Sequence, residues 1–199
     1  MSDPKQPPLI QEARSRVILD ATSLRRALQR LTYQIIEQNE GVERVALVGV
    51  RTRGVPLARR LQTLLAKEEG VEVPVGELDI TLYRDDVFTG LATPEVGPTR
   101  LPFEVGDRQI VLVDDVLYTG RTVKAALDAL MDWGRPRRIQ LAVLVDRGHR
   151  ELPVAADYTG LSVRTARDES IQVRLEEIDG ADEVLLHKWP ERQRGQGPA

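Results

Sequence analysis

Three uninterrupted aliphatic runs constrain this chain more than any other feature: "RVALVGV" at 44–50, "RQIVLVDDV" at 108–116 and "RRIQLAVLVDR" at 137–147. A strand with one face in water alternates apolar and polar residues. A strand without that alternation has its two faces covered. The first two runs lead through short polar loops into segments of helical period, "GVPLARRLQTLLAKEEG" at 54–70 and "GRTVKAALDALMDWG" at 120–134. Pro56 falls in the first turn of its helix, where a missing N–H costs nothing. Upstream, "DATSLRRALQRLTYQIIEQNEG" repeats Leu24, Leu28, Leu31 and Ile35 at helical spacing, with Thr22 or Ser23 as N-cap and Gly41 as the stop. "VPVGELDITLY" at 73–83 reads as another strand. Strand, loop and helix in this order predict an α/β fold: a mainly parallel central sheet flanked by helices, with ligands at the carboxyl ends of its strands.

The rest of the chain departs from that pattern. Residues 84–104 mix Gly, Pro, Thr and charge without a period, and read as a functional loop. After 148, the short runs "YTGLSV", "IQVRLEEI" and "EVLLHKW" read as a smaller cap on the main sheet. Residues 1–15 and 190–199 read as mobile tails. The chain has no Cys, which excludes disulfides, thiolate metal sites and a Cys nucleophile. Its two His, His149 and His187, are too few for a His-rich metal centre. No apolar stretch has signal-peptide or membrane-span character, so the expected location is the cytoplasm. The net charge of −3 argues against nucleic-acid binding by bulk charge and leaves local basic patches open.

Two loops carry the chemistry. In "IVLVDDVLYTGRT", 110–122, a buried strand ends in Asp114 and Asp115 and turns through Tyr118, Thr119, Gly120, Arg121 and Thr122 into a helix. Free N–H groups and the positive end of the helix dipole form an anion site there, and Gly120 lets the backbone curl around a phosphate. Two carboxylates beside a phosphate are repulsive unless a diol or Mg²⁺ lies between them. A ribose 5-phosphate presents both a diol and a phosphate. In "VGVRTRG", 48–54, a second strand enters a helix through Arg51, Thr52, Arg53 and Gly54, a combination that suits pyrophosphate. The Walker pattern G-x-x-x-x-G-K-[ST] is absent.

"IVLVDDVLYTGRT" resembles the phosphoribosyl diphosphate (PRPP) signature of type I phosphoribosyltransferases. From about Val17 to Lys188 the chain resembles one subgroup of them, the bifunctional pyrimidine operon regulators that are also uracil phosphoribosyltransferases. The likeness rests on "VILD", "LRRAL", "LVGVRTRG", "GELDITLYRDD" and "IQLAVLVDRGHRELPVAADYTG". It implies a type I phosphoribosyltransferase fold as a single domain over 17–188. The core would span about 40–147, a flexible loop about 84–104, and a C-terminal hood about 148–188 with an N-terminal contribution.

The resemblance also implies roles. Asp114 and Asp115 hold the ribose hydroxyls and Mg²⁺, directly or through water. The segment from Val116 and Leu117 through the 118–122 turn takes the nucleotide, with the 5′-phosphate on the turn. Residues 51–54, with a cis peptide expected between Arg51 and Thr52, take pyrophosphate, and Arg84 reaches it from the loop. Asp146, Arg147, Tyr158 and Thr159 form the base pocket, with Tyr158 either stacked on uracil or part of the hood core. His149 is either a general base or a loop tie.

The implied reaction is uracil plus PRPP to UMP plus diphosphate. The implied partners are UMP or UTP as effectors, a pyrimidine operon mRNA leader, and further copies of the chain in a homodimer or larger assembly. Candidate RNA contacts are Arg25, Arg26, Arg30, Arg135, Arg137, Arg138, Arg147 and Arg150. A salvage enzyme without RNA regulation and a non-catalytic nucleotide sensor remain the alternatives.

Overall fold

The structure, a computed structural model, describes residues 14–85 and 97–188. In chain order its elements are β1 (Arg14–Leu19), α1 (Ala21–Asn39), β2 (Val45–Val50), α2 (Gly54–Glu69), β3 (Val75–Leu78), a 3-10 turn (Thr81–Tyr83) and β4 (Gln109–Leu117). There follow α3 (Arg121–Met131), β5 (Arg138–Asp146), β6 (Tyr158–Ser162), β7 (Glu169–Arg174), α4 (Glu176–Asp179) and β8 (Glu183–Lys188). Five strands form a parallel sheet in the order β3-β2-β4-β5-β6.

The aliphatic runs are explained by two separate cores. Leu47 of β2 and Val111 and Val113 of β4 face Leu28, Leu31 and Ile35 of α1 and Leu57, Leu61 and Leu65 of α2. Their neighbours Ala46, Val48, Ile110 and Leu112 face Val123, Ala126, Ala129 and Leu130 of α3. Successive residues of a strand point to opposite faces, so helices on both sides require an apolar residue at every position.

Several expectations need correction. The N-cap of α1 is Asp20, not Thr22 or Ser23; its carboxylate accepts from the Ser23 N–H at 2.7 Å, and an anion at that end also meets the helix dipole. The strand read over 73–83 stops at Leu78. Asp79 ends it by accepting from the backbone N–H of Thr81 (2.8 Å) and of Gly97 (2.8 Å), a local side-chain alternative to the sheet ladder. The loop expected over 84–104 lies mainly outside the described residues. Its last part is anchored: Arg100 bridges Glu77, and Leu101 and Phe103 pack on the α3 core. The expected tails also fall outside the described residues, except for 14 and 15, which belong to β1. Finally, "YTGLS" is not part of the cap; it is β6, the edge strand of the main sheet, paired with β5.

The cap itself is a three-stranded antiparallel sheet, β1-β8-β7, built from both ends of the chain. Val173, Leu175 and Val184 bury it against the α1–α2 core. Arg60 of α2 fastens it. Its guanidinium donates to both carboxylate oxygens of Glu177 (2.8 and 2.6 Å) and both of Asp182 (2.9 and 2.7 Å). The Glu177 contact, followed by Asp182, raises the Arg60 pKa, while the guanidinium holds both carboxyls below their usual range. Two-pronged contacts of this kind fix orientation as well as distance. Replacing Arg60 with Ala leaves the half-buried Asp182 and the exposed Glu177 without their cation and is expected to cost about 1–2 kcal/mol, measured by urea denaturation at neutral pH. The loss should shrink when the carboxyls are protonated in acid.

Candidate active site

The carboxyl ends of β2, β4 and β5 meet at one edge of the sheet. Gly54 sets the geometry: a Cβ there would stand 2.2 Å from the Val113 carbonyl oxygen and 3.4 Å from Asp114 Cα. Only a glycine lets α2 begin against β4 at the residue before the acidic pair. The preceding loop, with a cis peptide between Arg51 and Thr52, is thereby held beside Asp114 and Asp115.

Asp114 is buried, and its Oδ1 accepts from the Asp115 N–H at 3.0 Å. Asp115 is half-buried, and its Oδ1 accepts from the Val116 N–H at 2.8 Å. Burial pushes the Asp114 carboxyl well above its usual value, and the charge of Asp115 pushes it further. Burial also raises Asp115, against the Val116 N–H and the Arg53 charge, which pull it down. Arg53 donates to Asp179 in the cap at 2.9 Å, while its buried Nε has no partner among the described residues. Arg51 donates to the Pro98 carbonyl at 3.2 Å and lies 3.9 Å from Glu77.

Beyond the acidic pair, Gly120 takes φ 93° and serves as the N-cap of α3 without a side chain of its own to offer, while Thr119 Oγ1 accepts a long bond from the Arg121 N–H at 3.4 Å. A Cβ on Gly120 would meet Val154 Cγ2 at 2.5 Å. The turn opens onto a crevice of 540 Å³ lined by residues 116–123 and by Arg84 and Asp85. Arg121 at its mouth pairs with Asp85 and, at 2.9 Å, with Glu151. The helix start, Thr119, Thr122 and the backbone of 116–118 therefore share one cavity, with the acidic pair immediately upstream on β4. The arrangement can hold an anion at one end and a hydroxylated or cationic group at the other.

The base-pocket residues divide. Asp146 closes β5 and Arg147 follows it; Tyr158 opens β6 opposite Ala142. The Tyr158 ring is buried in the α1–α2 core, and its hydroxyl accepts from Gln140 Nε2 (2.6 Å) and Asn39 Nδ2 (3.0 Å). Tyr158 is thus core, because a ring on the first residue of an edge strand can fold under α1. Thr159 is half-buried in β6, paired with Val143. His149 is a loop tie: its Nε2 lies 2.6 Å from the Thr165 carbonyl oxygen.

The basic residues divide as well. Arg25 and Arg26 are exposed on α1 and line a 660 Å³ depression floored by Leu28 and Leu64. Arg30 is exposed and donates to the Gly160 carbonyl of β6 at 2.6 Å. Arg135, Arg137 and Arg138 are exposed before or at the start of β5, with Arg138 4.0 Å from Asp157. Arg147 is buried, which removes it from any RNA surface. The Arg150 guanidinium is spent inside the chain, on Asp146 (2.5 Å) and on the carbonyls of Tyr118 (2.7 Å), Gly148 (3.1 Å), Val154 (3.3 Å) and Leu117 (3.4 Å).

Residues 16–177 match the family described as the phosphoribosyl transferase domain. A protein of Thermus aquaticus named bifunctional protein PyrR is 59% identical over 169 residues, covering 85% of this chain and 93% of the relative. One of the same name from Enterococcus faecalis is 53% identical over 174 residues, covering 87% and 97%. The chain belongs to the phosphoribosyltransferase family, in its bifunctional PyrR group. A Bacillus anthracis hypoxanthine-guanine phosphoribosyltransferase structure shares the fold, with a TM-score of 0.65 at 18% identity over 88% of this chain and 99% of that one. No described helix is long and apolar enough to cross a membrane.

Linkage gives the acidic pair a pH signature. A carboxyl raised by folding leaves stability intact below its ordinary value of 3.8 and subtracts from it as pH rises through the raised value. Asp114→Asn removes that loss. The ligand-free variant should melt above the parent at neutral pH, by roughly 2–4 °C per kcal/mol regained. The gap should close as pH falls toward 3.8. A pH-independent gap, measured by calorimetry, would contradict burial as the cause.

Proposed function

We propose that this phosphoribosyltransferase converts uracil and PRPP to UMP and diphosphate in the cytoplasm. We further propose that it binds the leader of pyrimidine operon mRNA under the control of uridine nucleotides. The observation that carries the first half is the Asp114–Asp115 pair, one carboxyl buried and one half-buried, running into the glycine-capped start of α3. The second half rests on the relatives' shared name, bifunctional protein PyrR, and on the exposed Arg25 and Arg26 beside their groove.

In this reading the 5′-phosphate lies on the 118–122 turn, and the carboxylates of Asp114 and Asp115 accept from the 2′ and 3′ hydroxyls of the ribose. The bond from C1 to the diphosphate oxygen breaks as N1 of uracil bonds to C1, and the N1 proton leaves. Negative charge gathers on the departing diphosphate, where Arg51, Arg53 and Arg84 stabilise it. The Nε of Arg53, buried and without a partner among the described residues, is a donor suited to such an anion. No Cys nucleophile is required, since uracil itself attacks.

The donor set fits Mg²⁺ in shared form. No cluster of three acidic or His ligands exists among the described residues, so Asp114 and Asp115 would hold the ion jointly with substrate oxygens and water. When bound, Mg²⁺ neutralises charge on the diphosphate. Regulation follows from differential affinity: a nucleotide that favours the RNA-competent state or assembly, a dimer or larger homo-oligomer, raises RNA affinity by the same factor.

One preparation tests both halves. With uracil and PRPP, Asp115→Asn should lower kcat by about 100-fold or more while circular dichroism stays unchanged. Arg25→Glu combined with Arg26→Glu spares the Arg30–Gly160 tie; it should weaken leader RNA binding roughly tenfold at fixed salt and leave turnover intact. UMP should tighten RNA binding by the parent protein. Loss of turnover and RNA binding together in the double variant would discredit the α1 surface.

A further inference from the structure

Arg147 is a buried cation with no carboxylate partner among the described residues. Its backbone N–H donates to the Leu117 carbonyl at 3.1 Å. Its guanidinium donates to Thr165 Oγ1 (3.2 Å) and to the backbone carbonyls of Glu169 (2.7 Å) and Ala166 (3.4 Å), all just ahead of or at the start of β7 in the cap. The same guanidinium carbon lies 4.1 Å from the centroid of the Tyr118 ring. Tyr118 stands in the turn that opens the crevice, 38% exposed. His149 closes the cluster, with its ring 6.0 Å from that of Tyr118, edge to face, and its Nε2 on the Thr165 carbonyl.

Burying a guanidinium without an anion is costly. Hydrophobic packing alone would favour an aliphatic residue at this position. What the charge adds is direction. Carbonyl oxygens and an aromatic face are all weak attractors of cations, and a planar guanidinium can serve both at once. The two sets of attractors belong to different parts of the protein: the ring to the turn after β4, the carbonyls to the cap. Val163 strengthens the second attachment, its N–H donating to the Asp146 carbonyl at 2.9 Å.

We propose that Arg147 is a positioning residue that locks the Tyr118 turn to cap segment 163–169, so that seating a nucleoside 5′-phosphate on the turn and ordering the cap above it are one event. This rests on the reading of 118–122 as the phosphate site. A nucleotide that fixes the turn fixes the ring; the ring holds the guanidinium in place; the guanidinium holds the cap carbonyls. The cap can then order over the base without touching the phosphate. Specificity for a nucleotide over free phosphate or free base follows, because each fragment engages one side of the clasp only.

The test uses the full chain and UMP as the probe. Tyr118→Leu removes the ring face at a partly exposed position, and Tyr118→Phe keeps it. In ligand-free protein, amide hydrogen exchange across 163–169 should quicken roughly tenfold in Tyr118→Leu and return to the parent rate in Tyr118→Phe. UMP should dissociate roughly tenfold more readily from Tyr118→Leu and from Arg147→Met, and the double variant should be no worse than either single one. Arg147→Lys, which keeps the charge but not the plane, should fall between parent and Arg147→Met. Unchanged exchange across 163–169 in Tyr118→Leu, or fully additive losses of UMP affinity, would overturn the proposal. If Arg147→Met does not fold, the Leu and Phe variants of Tyr118 decide the matter. If UMP does not bind the parent protein, the functional reading fails, and the ligand-free exchange comparison still decides whether the clasp exists.

Discussion

The site depends on a missing side chain. Gly54 brings the first turn of α2 within van der Waals range of the β4 backbone at Val113. Gly49 does the same one strand earlier, where a Cβ would meet Val55 Cα at 2.5 Å. With these two contacts the 51–53 loop and the acidic pair share one crevice. With a larger residue at either place the helix would stand off the sheet, and the arginines would be too far from Asp115 to act on it.

That closeness has an electrostatic cost, which the structure carries in the crevice and offsets elsewhere. Asp114 and Asp115 are held where burial opposes their charge, and the buried Nε of Arg53 lacks a partner among the described residues. Around them the ionic contacts are well matched: Arg60 with Glu177 and Asp182, Arg174 with Glu183, Arg150 with Asp146. Polar groups left wanting beside a crevice mark a place where a ligand can supply what is missing; Asn39 Oδ1 and Gln140 Oε1, also without partners among the described residues, belong instead to the amides that hold the Tyr158 hydroxyl.

The features legible in the sequence were those with a local cause. Burial on both faces wrote β2, β4 and β5 as aliphatic runs, and the acid-rich strand end followed by Thr, Gly and Arg announced the turn. Other features had no local signature. β6 is short and carries Gly160, whose absent Cβ would lie 2.6 Å from the Leu144 carbonyl; a five-residue run of β type does not record that it joins β5 instead of the cap. Tyr158 beside Asp157 resembled a pocket residue because nothing local records that α1 lies above it. Arg147 reads as a base-pocket or RNA-facing residue, since its carbonyl partners follow some twenty residues later. Asp20 is masked as a cap because two hydroxyl residues, Thr22 and Ser23, follow within three positions and suit the same role.

The cap also has a history in time. Ser15 of β1 meets His187 of β8 across 172 residues. At synthesis rates of roughly 5–20 residues per second that separation is about 10–30 s. The five-stranded sheet, complete at Ser162, can therefore assemble on the ribosome while β1 still lacks a neighbour. The floor of the crevice is laid before its roof exists, and β8, the last of the described strands to emerge, closes it.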